Sequence, residues 1–548
     1  MTLEIETSSL ENDSLKKVIL LPFCVFLDSM PLRRGERHLK PTEEQLEILE
    51  AFASFSIDMK IQAFAGSGKT TTLRLIAEAN PQVRFLYVAF NKALEMSAKS
   101  TFPKNVEART AHSLAYGSMR ISRSPFQLRL GAQMRPEEIF EACGIKCLRG
   151  VSPYLFWHVI RQTVRAFQNS VDLRVEQWHI PSDALVGADG RPQGVRFLNA
   201  VVKASQKLWK ARSNPTSRVP IEHDTYLKLW LLKGGSISAD CILFDEAQDA
   251  NPAMLAIIER QCCRKVFVGD EFQQIYSWRG AVNAMAKIKT PLVRKLTQSF
   301  RFGEAIATLG MRALRLKGLP WEDITFHGLS SIPSVVEAVN WEKPLTGLMR
   351  TNIGIVEAAY TCAQSKKAFH VVGDFEGTLR FVESAYALLR GRKSEVFDER
   401  LRIFNDWIAC KAAAKHEADL ASVVAIAEKY QKNFDRVMQL IRAFYTHDER
   451  APLVLTTAHK AKGREWGQVF LGEDFCKIAE MYKAVQAGEL TELPPEEINV
   501  LYVALTRAIC TLSVPGQILD MLEAQASGGQ HIPSQRFTAA QCLPGARG

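Results

Sequence analysis

Apolar positions along this chain follow two rhythms: short continuous runs and longer stretches with helical spacing. Val83 to Phe90, Cys241 to Phe244 and Lys265 to Val268 are runs of strand length, the kind buried on both faces of a parallel sheet. Pro41-Thr42-Glu43-Glu44-Gln45 opens a helix through Phe52, with Thr42 suited to the N-cap, and Thr71 to Ala79 forms another. This alternation through residues 41–300 predicts an α/β fold with a parallel sheet. A second α/β rhythm begins near 291, with strands at Leu345–Met349 and Val454–Thr456. Residues 116–234 are mostly helical in pattern, as is the latter half of 353–450, for example Ala412 to Tyr430. The first 40 residues show no clear period and read as a tail, or as a short strand Val18–Phe26 added to a core sheet. Residues 520–548 read as a loose tail.

One turn carries the clearest chemistry. Met59 to Gln62 ends a strand, Thr71 begins a helix, and Ala63-Phe64-Ala65-Gly66-Ser67-Gly68-Lys69-Thr70 lies between them. A strand, a glycine-containing turn and a helix N-terminus aim backbone N–H groups and the helix dipole at an anion. Lys69 is placed to reach the β- and γ-phosphates, and the Thr70 hydroxyl to hold Mg²⁺. The pattern departs from its usual form twice, with Ala63 at the first glycine and Phe64 at a position where glycine is common. Ala63, Ala65, Gly66, Ser67, Gly68, Lys69, Thr70 and Thr71 are the expected nucleotide contacts. Asp245-Glu246 follows an apolar strand and continues Ala247-Gln248-Asp249, so Asp245 is expected at the metal and Glu246 at the attacking water. Carboxylates at strand C-termini sit where such sheets bind ligands. Asn91-Lys92-Ala93-Leu94 lacks the Asp of a guanine-reading element, which disfavours a GTPase.

Composition narrows the partner. A net charge of +10 points to a polyanion, and 47% hydrophobic residues supply real cores. The eleven cysteines lack zinc spacing and read as reduced thiols of an intracellular protein. No apolar run approaches transmembrane length, so no membrane is expected as a partner.

Several phrases together resemble superfamily 1 DNA helicases of the UvrD/Rep type: Asp245-Glu246-Ala247-Gln248-Asp249, Gly269 to Ala281, Gln298-Ser299-Phe300-Arg301, Thr457 to Trp466, and Glu496 through Ala508. The wording of Tyr87 to Lys92 and His223 to Trp230 is closest to the F-box DNA helicase branch of that family. The first 40 residues are too short for an F-box, so a ubiquitin-ligase role is not expected. The resemblance implies two RecA-like parallel-sheet P-loop domains with mostly helical insertions. It divides the chain into a tail (1–40), a first ATP-binding domain (41–115 and 235–290) with an insertion at 116–234, a second domain (291–352 and 451–519) with a reduced insertion at 353–450, and a tail (520–548).

The same resemblance assigns roles. ATP and Mg²⁺ are the implied cofactors. Gln45 is implied to read adenine, Phe300 to stack on it, Glu465 to lie near the ribose, Gln273 to sense the γ-phosphate, and Arg301 and Arg507 to clamp phosphate from the second half. Phe90, Asn91, Lys92, Thr110, His112, Thr457 and His459 are expected on the strand, with Tyr276, Trp278 and Arg279 beside the bases. Base stacking is tolerant of sequence, and phosphate contacts fix register without reading it. The expected activity is an ATP-dependent DNA helicase and single-stranded DNA translocase of 3′→5′ polarity in repair, recombination or replication, acting on single strands and single-strand–duplex junctions. Two alternatives are a DNA-stimulated ATPase that remodels protein–DNA or recombination intermediates with little unwinding, and an inactive nucleotide-binding subunit of a defence or repair complex. The expected location is the nucleoid-associated cytoplasm in a bacterium and the nucleus in a eukaryote.

Overall fold

The computed structural model describes residues 40–524 apart from 150, 186–192, 277–282, 403, 415 and 416. The tail assignments at 1–39 and 525–548, and the expected DNA contacts Trp278 and Arg279, lie outside the described residues. Chain contacts separate residues 1–46 from 47–548. The described end of the first unit carries a capping pair: the Thr42 amide donates to Gln45 Oε1 and the Gln45 amide to Thr42 Oγ1, opening the helix Glu43–Ser54.

The larger unit holds two six-stranded sheets, and every strand pairing in them is parallel. The first contains β1 (Met59–Ala63), β2 (Phe85–Ala89), β3 (Val106–Thr110), β4 (Cys241–Phe244), β5 (Arg264–Gly269) and β6 (Leu292–Leu296), in the order β3-β2-β4-β5-β1-β6. Central β2 and β4 are buried at every residue, whereas edge strands β3 and β6 expose charged positions. Apolar runs thus mark the middle of the sheet and alternating ones its rims, where charge also discourages pairing with another chain.

The second sheet contains β7 (Val335–Val336), β8 (Leu345–Met349), β9 (His370–Val371), β10 (Leu453–Thr457), β11 (Trp466–Leu471) and β12 (Ala508–Ser513), in the order β7-β12-β11-β8-β10-β9. Within β8, a Cβ on Gly347 would lie 2.5 Å from the Phe470 ring and 2.9 Å from Leu455, so only glycine lets these side chains cross the sheet there.

Three elements lie across or against the expected divisions. β6 lies beyond the 290/291 division yet pairs with β1 from Met59↔Leu292 to Ala63↔Leu296, because its apolar ends Leu292 and Leu296 complete the first sheet's edge. β9 lies inside 353–450 but pairs with β10, and the helix Asn352–Gln364 packs beside it, with Ile355, Val356 and Ala359 in the same core as Leu455. Residues 520–524 are the end of a helix, Gly516–Ala524, rather than loose chain, because Met521 and Leu522 are buried.

Between β3 and β4 the chain is helical. The helices Pro153–Asn169 and Val195–Ser213 pack through Phe156, Ile160, Val201 and Leu208. The second helical stretch includes Phe375–Leu389, Ala418–Lys429 and Phe434–Phe444, closed around Leu379, Val382, Ile426 and Ile441.

Candidate functional site

The phosphate loop runs from the end of β1 to the helix Lys69–Ala79. Gly66 and Gly68 take φ of 75° and 77°, which turns the chain back sharply enough to aim the helix N-terminus into the loop. The first N–H groups of that helix have no intrahelical acceptor and face outward as an anion site. The buried Ser67 hydroxyl has no hydrogen-bond partner among the described residues, an orphan that a phosphate oxygen would satisfy. Two loop residues have other tasks. The Ala65 amide donates to the Tyr502 hydroxyl at 3.1 Å instead of facing a ligand. Phe64 does not crowd the phosphate site: its ring stacks on Phe326 at 4.9 Å and Phe272 at 5.9 Å, inside the apolar core of the second sheet.

The carboxylates at the ends of β4 and β5 converge on this loop. Thr70 Oγ1 donates to Asp245 Oδ2 at 2.9 Å, and the Tyr87 hydroxyl donates to the same oxygen at 2.7 Å. Hydroxyl and carboxylate oxygens side by side form a hard donor set that suits Mg²⁺. Glu246 holds a left-handed φ of 53°, a strained conformation for a non-glycine residue. Its carboxylate pairs with Lys69 at 2.9 Å and accepts from Gln248 Nε2 at 2.5 Å. Burial opposes its ionisation, but Lys69 and Lys462 outweigh burial and hold it down at about 2. Burial pushes Asp249 and Asp270 up to about 6. It also raises Asp245, with Glu246 adding to the effect.

The second half of the chain supplies the opposing wall. Phe300 donates its amide to the Gly66 carbonyl at 2.8 Å, and the adjacent Arg301 pairs with Glu465 at 2.6 Å and donates to the Thr506 carbonyl. Arg507 is 1% exposed. Its guanidinium reaches the carbonyls of Val503 and Arg464, Thr506 Oγ1, and Gln273 Oε1 at 3.4 Å, with no carboxylate in ion-pair range among the described residues. Burial, with Arg301 adding, draws it down to about 9. A buried guanidinium with no carboxylate in ion-pair range fits a phosphate. Lys462 bonds Asp249 and the Gln273 carbonyl and lies 4.0 Å from Glu246. Of the expected site residues, Lys69, Thr70, Asp245 and Glu246 lie together at the loop, and Gln273, Arg301 and Arg507 lie at the wall from the second half. The site adds Lys462, Gln248, Asp270 and Tyr502, which motif reading passed over although each lies inside a quoted phrase.

The expected strand contacts occupy the carboxyl ends of both sheets. Asn91, Thr110 and Thr457 each cap a helix, accepting from the amides of Leu94, Ser113 and Lys460. Lys92 pairs with the buried Glu95, and His112 with Asp224 at 2.9 Å. Phe90 stacks on Tyr276 at 5.6 Å, while the Tyr276 hydroxyl donates to the His459 carbonyl at 3.1 Å. Phe90 and Tyr276 from one half thus meet His459 from the other.

Two parallel sheets of RecA-like type, a phosphate loop on the first and arginines supplied by the second, define a P-loop protein of the two-domain motor class. The profile of the UvrD/REP helicase N-terminal domain matches residues 229–290. The chain is thus similar to UvrD-like superfamily 1 helicases. It is 31% identical over 528 residues to F-box DNA helicase 1 of Gallus gallus, covering 90% of this chain and 50% of that protein. It is 32% identical over 509 residues to F-box DNA helicase protein 1 of Schizosaccharomyces pombe, covering 85% and 56%. The chain spans about half the length of these curated relatives. Among the described residues, no helix is long and apolar enough to cross a membrane.

Proposed function

We propose that this chain is an ATP-dependent DNA helicase and single-stranded DNA translocase. The observation that carries the reading is Arg507: a buried cation from the second half, with no carboxylate in ion-pair range among the described residues, against Gln273 of the first. ATP would complete the cluster, its phosphates taking Lys69, Arg301 and Arg507 as partners. Thr70 and Asp245 would hold Mg²⁺, which when bound would supply charge neutralisation to the phosphates. Lys69 now pairs with Glu246. A phosphate oxygen competing for Lys69 would free the Glu246 carboxylate to orient water, and loss of that partner would raise its proton affinity so that it can take the water's proton. Hydrolysis then depends on the two sheets being together, and loss of the γ-phosphate removes the anion that bridges them.

DNA would cross the carboxyl ends of both sheets, where Phe90, Asn91, Lys92, Thr110, His112 and Tyr276 lie on one side and Thr457 and His459 on the other. The family implies 3′→5′ movement and a place in repair, recombination or replication. The eukaryotic relatives favour a nuclear location. The domain division proposed here keeps β1–β6 as the ATP-binding domain and β7–β12 as the second, with helical insertions at 116–234 and about 375–444. The second insertion is thus shorter than the motif order implies. This favours a second reading, an ATPase that remodels protein–DNA or recombination intermediates with little unwinding. ATPase assays with and without single-stranded DNA, followed by strand displacement on tailed duplexes of both polarities, test these readings. Stimulated turnover with displacement of a 3′-tailed duplex supports the helicase; stimulated turnover without displacement supports the remodeller; no stimulation removes both.

A further inference from the structure

The helix Pro495–Leu505 is apolar from Val500 to Leu505 apart from the hydroxyl of its one aromatic, Tyr502. The Tyr502 ring is fully buried, with the edges of Phe272 and Phe326 about it at 6.3 and 6.1 Å. A buried hydroxyl in such a setting is costly without partners. Both partners it finds come from the other half of the chain. It accepts from the Ala65 amide of the phosphate loop at 3.1 Å and donates to Asp270 Oδ2 at 3.1 Å. That oxygen also accepts Gln273 Nε2 at 2.6 Å, and Gln273 Oε1 meets Arg507, five residues beyond Tyr502. Tyr502 and Arg507 therefore grip one Asp270–Gln273 pair from the same short segment, while Tyr502 also holds the loop backbone.

We propose that Tyr502 is a positioning residue for ATP hydrolysis, its hydroxyl fixing the phosphate loop and, through Asp270, the side chain of Gln273 when the second domain docks. The inference rests on the helicase reading and extends it. Tyr502 touches no reacting atom. It sets where Gln273 stands relative to the phosphate loop, and the satisfaction of its hydroxyl reports that the two halves are together. Ala65 is thereby an anchoring point of the loop and not a phosphate contact.

Tyr502→Phe deletes the hydroxyl and keeps the ring in the core. In this variant kcat with saturating single-stranded DNA should fall about tenfold or more, while KM for ATP moves less than about threefold, the split expected when a group acts on the transition state. DNA affinity should stay near wild type, and the melting temperature should fall only modestly, through the stranded Ala65 amide. A purely structural role would lower the melting temperature and spare this split. In a Gln273→Ala background, adding Tyr502→Phe should cost clearly less in kcat than it does in wild type, because part of its effect passes through that side chain and the rest through the loop. Asp270→Asn is the second variant: it has one acceptor oxygen for three donors, leaves the apolar helix untouched and should reproduce the kcat loss. Wild-type kcat in Tyr502→Phe, or independent multiplicative effects of the Tyr502 and Gln273 changes, overturns the proposal. A wild-type protein without DNA stimulation would instead sink the helicase reading, and kcat without DNA would still judge Tyr502.

Discussion

Glu246 combines a strained backbone, a lysine partner and a pKa held near 2, features that cluster where chemistry is done. Glu246→Gln keeps its size but cannot accept a proton. ATP binding should persist, while turnover falls roughly 10²–10⁴-fold, the usual weight of a general base; binding of a fluorescent nucleotide and steady-state phosphate release separate the two. Gly66 has the opposite need, for empty space. A Cβ there would meet Ser299 Oγ at 2.6 Å and Arg301 Cβ at 2.7 Å at a φ that disfavours side chains. Gly66→Ala should destabilise by about 1–3 kcal/mol or more in a denaturant titration and weaken nucleotide binding. The phosphate loop and Asp245-Glu246 are legible in the sequence because their chemistry lies in contiguous residues. Tyr502, Lys462 and Gln248 are not, because their roles depend on which atom they face across the fold. Conversely, Asn91, Thr110 and Thr457 match strand-contact motifs, yet their side chains visibly cap helices.

Elements show the same division. β8 matches the strand predicted at Leu345–Met349, and the helix Lys69–Ala79 begins two residues before the predicted start, because apolar spacing sets the existence of an element more firmly than its ends. Sheet membership was hidden: nothing local in Leu292–Leu296 says that its neighbour is β1, more than two hundred residues away. Lys228 shows how one buried side chain can hold an element. It donates to the carbonyls of Ser170 and Asp172 at 2.7 Å and lies over the Phe167 ring at 4.3 Å, tying the helix His223–Leu232 to the end of Pro153–Asn169. Burial draws its pKa down to about 8 from the ordinary lysine value of 10.5. The folded state releases this proton more readily than the unfolded chain does. The cost of burying the charge is therefore full below about 8 and is relieved as pH rises toward 10.5. Lys228→Met should remove that rise in stability and lower stability by about 1–3 kcal/mol through the stranded carbonyls, as melting curves across alkaline pH would show.

At the scale of the whole molecule, the two sheets communicate through charge. With a net charge of +10, single-stranded DNA affinity should fall steeply with salt and vary little with sequence. Salt-independent binding to one sequence in a filter assay would contradict this. Arg507→Ala should abolish DNA-stimulated turnover while leaving DNA affinity nearly intact, since its guanidinium faces Gln273 and the nucleotide site; retention of stimulated turnover would mean that the second sheet has another task. The Phe64 ring adds a force of different character. It belongs to the phosphate loop but sits among Phe326, Phe302 and Tyr502, so drawing the sheets apart would wet it and its neighbours. Burying apolar surface carries a negative heat-capacity change, and the attraction weakens on cooling. Docking of the halves should therefore be cold-sensitive. The logarithm of the stimulated rate against reciprocal temperature should bend downward at the cold end, and Phe64→Ala should flatten the bend while slowing turnover throughout. On the proposed function, the grip of the two halves on nucleotide would thus act partly as a thermometer.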